Sequence, residues 1–225
     1  GSRAYRAAPV NIVTTVVLIG RLLFVNVAAG GPVVCAWLEW RGDALARSAA
    51  RYLGLASLLT LIAGGMLGAF LGWLKWTADY QALWTGPLSY KLHWGAAELV
   101  FSLVLASVYW LWVRGRGGES LAARAGRGAI ALLSGTNLLY HFPLLFIVAG
   151  KLHAAGQTSG ERIGGAACRQ LMLEGETPAL AVHVVLACLA MAGVALLGLA
   201  LRLKRQGDEP GGTTVAAWGG WWGLT

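Results

Sequence analysis

The chain has 225 residues, of which 57% are apolar and only 12% are charged. A soluble globular domain carries about 25% charged residues, so this composition argues against one and indicates a membrane protein. The net charge of +8 does not indicate a nucleic-acid partner, because the basic residues are spread between apolar runs instead of forming one patch.

Five apolar runs predict five transmembrane helices. In chain order they cover residues 11–40, 52–73, 88–113, 129–152 and 178–203, and each can cross about 30 Å of hydrocarbon. The first is long enough to be tilted, or to be broken at Gly30-Gly31-Pro32. The tail turns apolar again in VAAWGGWWGLT, as the start of a sixth helix that is cut short would. The sequence therefore predicts an all-α, polytopic transmembrane bundle, with residues 1–225 as a single domain and a fragment of a longer protein.

Basic residues are distributed unevenly between the two sides that these spans define. One side holds ten and the other holds seven. The larger group consists of Arg41, Arg47, Arg51, Arg114, Arg116, Arg124, Arg127, Arg202, Lys204 and Arg205. Because the cytoplasmic side carries the excess of Lys and Arg, the N-terminus is predicted to lie outside.

All four histidines lie in or at the ends of the predicted spans, and His183 is the most informative of them. It falls near the start of the fifth run, PALAVHVVLACLAMAGVALLGLALRL. An intramembrane histidine is costly unless it is paired or ligated. Because neutral imidazole is a common axial ligand of haem iron, His183 is predicted to bind haem. The alternative is an interhelical hydrogen bond to a hydroxyl or a carbonyl.

The other histidines are candidates for a second iron ligand. His93 lies near the outer start of the third span, where it could also reach the surface. His141 lies deeper, and Pro143 could kink the helix and aim its ring. His153 is predicted to face water. With the N-terminus outside, these imidazoles are expected to converge on the outer leaflet, where one haem could bridge two helices.

Two further ionisable residues, Glu98 and Arg21, lie inside spans. A buried glutamate must be protonated, ligated or paired, so Glu98 is predicted to transfer protons or to bind iron weakly. The alternative is a salt bridge with Arg21. Arg21 could otherwise neutralise a haem propionate or a quinone carbonyl.

Simple motifs exclude other chemistry. The three cysteines form neither CxxC nor CxxCH, which argues against a zinc ribbon and against covalently attached haem. The glycines of the second span are spaced as in packed membrane helices, in the pairs Gly64 with Gly68 and Gly65 with Gly72, and they predict packing only.

Five segments of the chain carry a resemblance to a known family. They are RLLFVNVAAGGPVVCAWLEW, ARYLGLASLLTLIAGGMLGAFLGWLKW, GAAELVFSLVLASVYWLW, LLSGTNLLYHFPLLFIVAGKL and LAVHVVLACLAMAGVALLGLALRLKR. In this order they resemble the first five helices of subunit I of cytochrome bd-type quinol oxidases. The resemblance covers nearly all of the chain.

The resemblance implies roles for particular residues. His183 falls on the family's histidine ligand of the low-spin haem b, and Glu98 falls on a family glutamate. It also implies a bacterial inner membrane with the N-terminus outside. The chain departs from the family at Arg21, where the family has a histidine ligand of a high-spin haem, and at Ala106 or Ser107, near a second family glutamate. These departures predict that the oxygen-reducing haem site is lost.

The function predicted from these observations is electron transfer. The chain would be a cytochrome bd-like membrane subunit of an oxidoreductase complex, with one or more haem b groups, working between the quinone pool and a redox partner. Quinone is a second candidate ligand. The predicted partners are other membrane subunits of a respiratory complex, a periplasmic cytochrome c or another exposed redox subunit, and lipid. The alternatives are a catalytic quinol oxidase subunit with a rearranged haem site and a haem-free anchor or assembly subunit.

Overall fold

A computed structural model describes residues 12–115, 120–156 and 162–224. Within these ranges the chain is helical and contains no strand. The helices are α1 (Ile12–Arg41), α2 (Ala44–Leu74), α3 (Ala78–Thr85), α4 (Ser89–Arg114), α5 (Leu121–Ala154), α6 (Gly165–Leu173), α7 (Thr177–Arg205) and α8 (Glu209–Gly223). The predicted all-α bundle is confirmed.

Five of these helices, α1, α2, α4, α5 and α7, are long and apolar enough to cross a membrane. They correspond to the five predicted spans, although α2 and α5 begin eight residues earlier than predicted. The added turns are polar and are stabilised by caps. The Asp43 side chain accepts a hydrogen bond from the Ala46 amide at 2.7 Å, and the Ser120 hydroxyl accepts one from the Ala123 amide at 3.2 Å. Such caps satisfy amides that the first turn of a helix leaves unpaired.

The segment Gly30-Gly31-Pro32 does not break α1, which is continuous from Ile12 to Arg41. Its glycines instead allow two neighbouring helices to approach. A Cβ atom on Gly30 would overlap the backbone of Cys188 in α7, and one on Gly31 would overlap the Ser57 hydroxyl in α2. This segment is therefore the point at which α1 crosses its neighbours closely, as small residues allow in membrane bundles.

The two ends of the bundle differ in composition. At the arginine end, α1, α4 and α7 end while α2 and α5 begin, and the basic residues described there are Arg41, Arg47, Arg51, Arg114, Arg124, Arg127, Arg202, Lys204 and Arg205. The opposite end, which we call the cap end, carries the short helices α3 and α6.

The helices of the cap end were not predicted, because neither is long enough to form a span. The connections that contain them are joined by a hydrogen bond from the Ile163 amide to the Pro87 carbonyl at 3.1 Å. Trp84 and Leu88 pack there with Leu152 in one buried cluster. The cap end is thus a folded layer over the start of α4 and the end of α5.

The tail folds back along α7 as α8, which confirms that a further helix follows the fifth span. Side chains at Gly193 in α7 or Gly219 in α8 would each overlap the backbone of the other helix. Trp37 of α1 packs against this hairpin, with its ring centroid 5.9 Å from that of Trp218 and 5.8 Å from that of Trp222.

Candidate functional site

The structure brings two of the predicted site residues together between α4 and α5. The Glu98 carboxylate (Oε1) lies 3.5 Å from Nε2 of His141, and the two side chains are 21% and 40% exposed. Glu98 lies nine residues into α4, about 14 Å below the first residue of that helix. An acid and a base therefore meet inside the span, in a place that remains accessible.

Polar residues on both helices hold this pair in register. The Asn137 side-chain amide donates to the Glu98 carbonyl at 3.1 Å and to the Ser102 hydroxyl at 2.8 Å. The Ser134 hydroxyl donates to the Ser102 carbonyl at 3.1 Å. Ser134, Asn137 and His141 fall on one face of α5, as Glu98 and Ser102 do on α4, because residues three, four or seven apart share a face. The sequence shows this spacing on each helix, but it does not show that Glu98 and His141 meet.

A groove on the bundle surface contains the pair. Its volume is about 170 Å³, and its lining consists of Tyr90, Lys91, Trp94, Gly95, Glu98, His141, Leu145 and Met172. The Arg162 guanidinium lies 4.6 Å from the centroid of the Tyr90 ring at the rim. The site thus combines two aromatic rings, two rim cations and one acid–base pair, and Tyr90 and Trp94 are exposed.

His183 occupies a different environment. Its side chain is exposed on α7 beside the exposed Val182 and Leu186. It makes no hydrogen bond or ion pair with the part of the chain that the structure describes. The histidines were predicted to converge, but among the described residues no contact joins two of them: His141 contacts Glu98, and His183 faces outward.

His93 and His153 are also exposed. Nδ1 of His93 lies 2.7 Å from the Ser89 carbonyl oxygen, one turn earlier in α4. In the tautomer that donates this hydrogen bond, Nε2 keeps its lone pair for a metal, which is the arrangement usual for metal-bound histidines. His153, in the last turn of α5, matches its predicted position at the surface.

Arg21 lies on the inner side of α1. Its guanidinium carbon is 4.9 Å from the centroid of the Phe146 ring in α5. Gly68 of α2 makes room for it, since a Cβ atom there would stand 3.0 Å from the Arg21 Nε. Of the predicted glycine contacts in α2, Gly64 and Gly68 pack against α1, whereas a Cβ atom on Gly65 or Gly72 would meet open space.

A second acid–base pair was missed by the sequence analysis. Glu39 of α1 accepts hydrogen bonds from Nε and Nη2 of Arg127 at 3.0 and 2.8 Å, and the Tyr109 hydroxyl donates to it at 3.3 Å. The Arg127 and Glu39 side chains are only 3% and 4% exposed. Arg127 was counted as a residue of a connection, because hydropathy does not show which arginine at a helix start points into the bundle.

The groove and the exposed histidines differ in whether they could hold a haem. A volume of about 170 Å³ is below the 300–1,000 Å³ usual for ligand pockets, so the groove of Glu98 and His141 does not enclose a porphyrin. His183 on α7 and His93 on α4 are exposed imidazoles, the donor type that haem iron accepts. In the described part of the chain, α4 and α7 do not pack closely against each other. Within the described ranges no three His, Cys, Asp or Glu side chains are grouped to hold a metal ion.

Comparison with known proteins does not assign the chain to a family. No protein-family model, no curated protein and no solved structure matches the chain. The sequence and the fold define a helical protein with five helices suited to crossing a membrane.

Proposed function

We propose that the chain is a cytochrome bd-like membrane subunit that binds haem b and transfers electrons between the quinone pool and a redox partner. The observation that carries this proposal is His183, an exposed imidazole without a partner in the described chain, on an apolar helix. Such a group is costly against lipid, so a ligand or another subunit covers it in the assembled protein. Iron satisfies it with the ligand chemistry that imidazole suits best.

Each candidate residue has a proposed role. His183 would hold the haem iron, and His93, whose Nδ1 lies 2.7 Å from the Ser89 carbonyl oxygen, is one candidate for a second ligand. His141 is the alternative second ligand, and Glu98 beside it accepts protons. Arg21 supplies positive charge within the span for a propionate or a quinone carbonyl. The haem, when bound, supplies reversible one-electron transfer.

Each surface of the bundle suggests a partner. Other membrane subunits of a respiratory complex would cover the apolar surface around His183, and a periplasmic cytochrome c or another exposed redox subunit would dock near the cap end. The arginine end would face anionic lipid headgroups on the cytoplasmic side of the membrane. The chain would thus lie in a bacterial inner membrane with its N-terminus outside.

The ligand assignment is tested by His183→Ala, with His153→Ala as the matched control, since both side chains are exposed and lie toward the same end. We expect His183→Ala to abolish the low-spin haem b band in a reduced-minus-oxidised spectrum while the protein still inserts, because no water replaces the ligand well in lipid. His153→Ala should keep the band.

Full haem content in purified His183→Ala would overturn the assignment. If the wild-type protein, expressed with its partners, shows no haem band at all, the chain is the haem-free anchor or assembly subunit instead. Additional haem d bands dependent on this chain would support the catalytic oxidase subunit.

The orientation is tested by cysteine labelling at Ala122 and Ala155, two exposed alanines at opposite ends of α5. The native cysteines are buried and should stay silent. We expect a membrane-impermeant maleimide to label Ala155→Cys in intact cells and to label Ala122→Cys only after lysis. The reverse pattern would place the cap end in the cytoplasm.

A further inference from the structure

The groove of Glu98 and His141 has a shape that selects its ligand. It opens on the surface of α4 and α5, with Tyr90 and Trp94 exposed at its mouth. Because its volume of about 170 Å³ is smaller than a pocket for a whole drug-sized molecule, it can take one ring and leaves the rest of a ligand outside. Phe101, seven residues after Trp94 and so on the same face of α4, is also exposed and provides apolar surface beside it.

The polar groups of the groove are an acid and a base 3.5 Å apart. A carboxylate and a neutral imidazole can together accept two protons. Asn137 bonds to the backbone of Glu98 and leaves its carboxylate facing His141 in the groove, where the two side chains stay 21% and 40% exposed. An apolar molecule that enters from the membrane and releases two protons from a ring fits this arrangement.

We propose that this groove binds the ring of a membrane-dissolved quinol and that Glu98 and His141 accept its two protons. The inference rests on the quinone-pool part of the proposed function and gives it a location. One ring hydroxyl lies against His141 Nε2 and the other against the Glu98 carboxylate. The Trp94 and Tyr90 rings cover the quinol ring, as aromatic pairs do.

The reaction balances only with a one-electron acceptor. Two O–H bonds of the quinol break, one proton passes to His141 and one to Glu98, and the quinol becomes a quinone. The two electrons would leave singly, and the haem b and the redox partner of the proposed function would accept them. The site is then reset when both protons pass to water at the cap end, and the same steps in reverse reduce a quinone.

Binding is tested without any haem by photolabelling. The full chain, reconstituted in lipid nanodiscs, is illuminated with an azido-benzoquinone that carries a decyl tail, and labelled peptides are mapped by mass spectrometry. Gly95→Leu tests the groove, because Gly95 lines it and its Cβ position is 3.4 Å from Leu145 Cδ2. Gly150→Leu is the matched control, on α5 with open space around its Cβ position.

We expect labelling of α4 and α5 peptides around Glu98 and His141. Gly95→Leu should lower it about tenfold or more, because the new side chain fills the ring site, and Gly150→Leu should leave it unchanged. Labelling elsewhere in the chain would overturn the site. Equal labelling of the groove in the wild type, Gly95→Leu and Gly150→Leu would also overturn it.

Proton acceptance is tested on the assembled, haem-loaded complex. The double variant Glu98→Gln with His141→Gln should slow the reduction of haem b by decylubiquinol about 10²-fold or more, the usual contribution of a positioned base, while photolabelling changes little. An unchanged rate with unchanged labelling would remove the proton role. A complex without haem would overturn the proposed function alone, since the photolabelling result would still decide the site.

Discussion

Two acid–base pairs between long helices in the described part of the chain are built differently. Glu39 and Arg127, at the arginine end, are almost wholly buried, 2.8 Å apart, with Tyr109 as a further donor. Glu98 and His141, toward the cap end, are 3.5 Å apart and partly exposed in a groove. The first pair satisfies its charges within the protein, as a structural ion pair must. The second is partly exposed, so its side chains are accessible from the groove.

The surroundings of the two pairs show the same contrast. At the arginine end, the Arg124 guanidinium donates to the carbonyls of Glu39 and Trp40 at the end of α1, at 2.9 and 2.6 Å. Arg51 donates to the Val113 carbonyl at the end of α4, at 2.9 Å. Cations suit these positions because the last carbonyls of a helix lack partners and carry partial negative charge. At the arginine end, these charged contacts add to an apolar core that includes Leu38, Val113 and Trp218. At the cap end, apolar packing is joined by a hydrogen bond from Lys151 to the Thr177 hydroxyl at 2.6 Å.

The largest effect should follow from breaking the buried pair. Arg127→Ala leaves the Glu39 carboxylate buried without its cation, and we expect a loss of about 3–5 kcal/mol in the free energy of unfolding. Thermal unfolding of the purified protein in detergent measures it, with Arg124→Ala as a less buried comparison. The apolar double variant Glu39→Leu with Arg127→Leu should recover most of the loss, because it removes both charges together.

The variants also separate charge from packing. If Arg127→Ala melts within a few degrees of the wild type, the pair is not a structural element, and the contrast between the two ends fails. If the double variant melts no higher than Arg127→Ala, the hydrogen bond from Tyr109 to Glu39 contributes more to stability than the ion pair does.

A smaller effect is expected at the crossing of α1 and α7. Gly30→Ala forces the two helices apart, because the new methyl group would overlap the backbone of Cys188. Overpacking of this kind costs about 1–3 kcal/mol. Gly65→Ala is the matched control, a helical glycine with open space at its Cβ position, and should stabilise the protein slightly or leave it unchanged. Equal melting of the two variants would show that α1 and α7 do not cross this closely.

The sequence predicted the five long helices because hydropathy over about 20 residues is a strong signal. It did not predict their polar first turns, since those depend on the caps at Asp43 and Ser120 rather than on apolar content. Glu98, His141 and Arg21 were located within spans, and a salt bridge to Arg21 was the alternative predicted for Glu98. Glu39 was missed, and Arg127 was assigned to a connection. Glu98 and His141 meet through the rotation of α4 against α5, and Glu39 meets Arg127 across α1 and α5. One sequence without the packing angles of its helices does not fix such contacts.

The smallest effect on stability is expected at the pair of Glu98 and His141. Glu98→Gln removes a partly exposed interaction with His141 at 3.5 Å, so the unfolding free energy should change by about 0–1 kcal/mol. The isosteric Glu39→Gln should cost several times more in the same melting experiment, because its carboxylate accepts three hydrogen bonds in a buried position. Asn137 would still hold the backbone of Glu98, so the groove should keep its shape. If Glu98→Gln destabilised the protein as much as Glu39→Gln, Glu98 would be a structural residue, and the distinction between a closed pair and an open one would be lost.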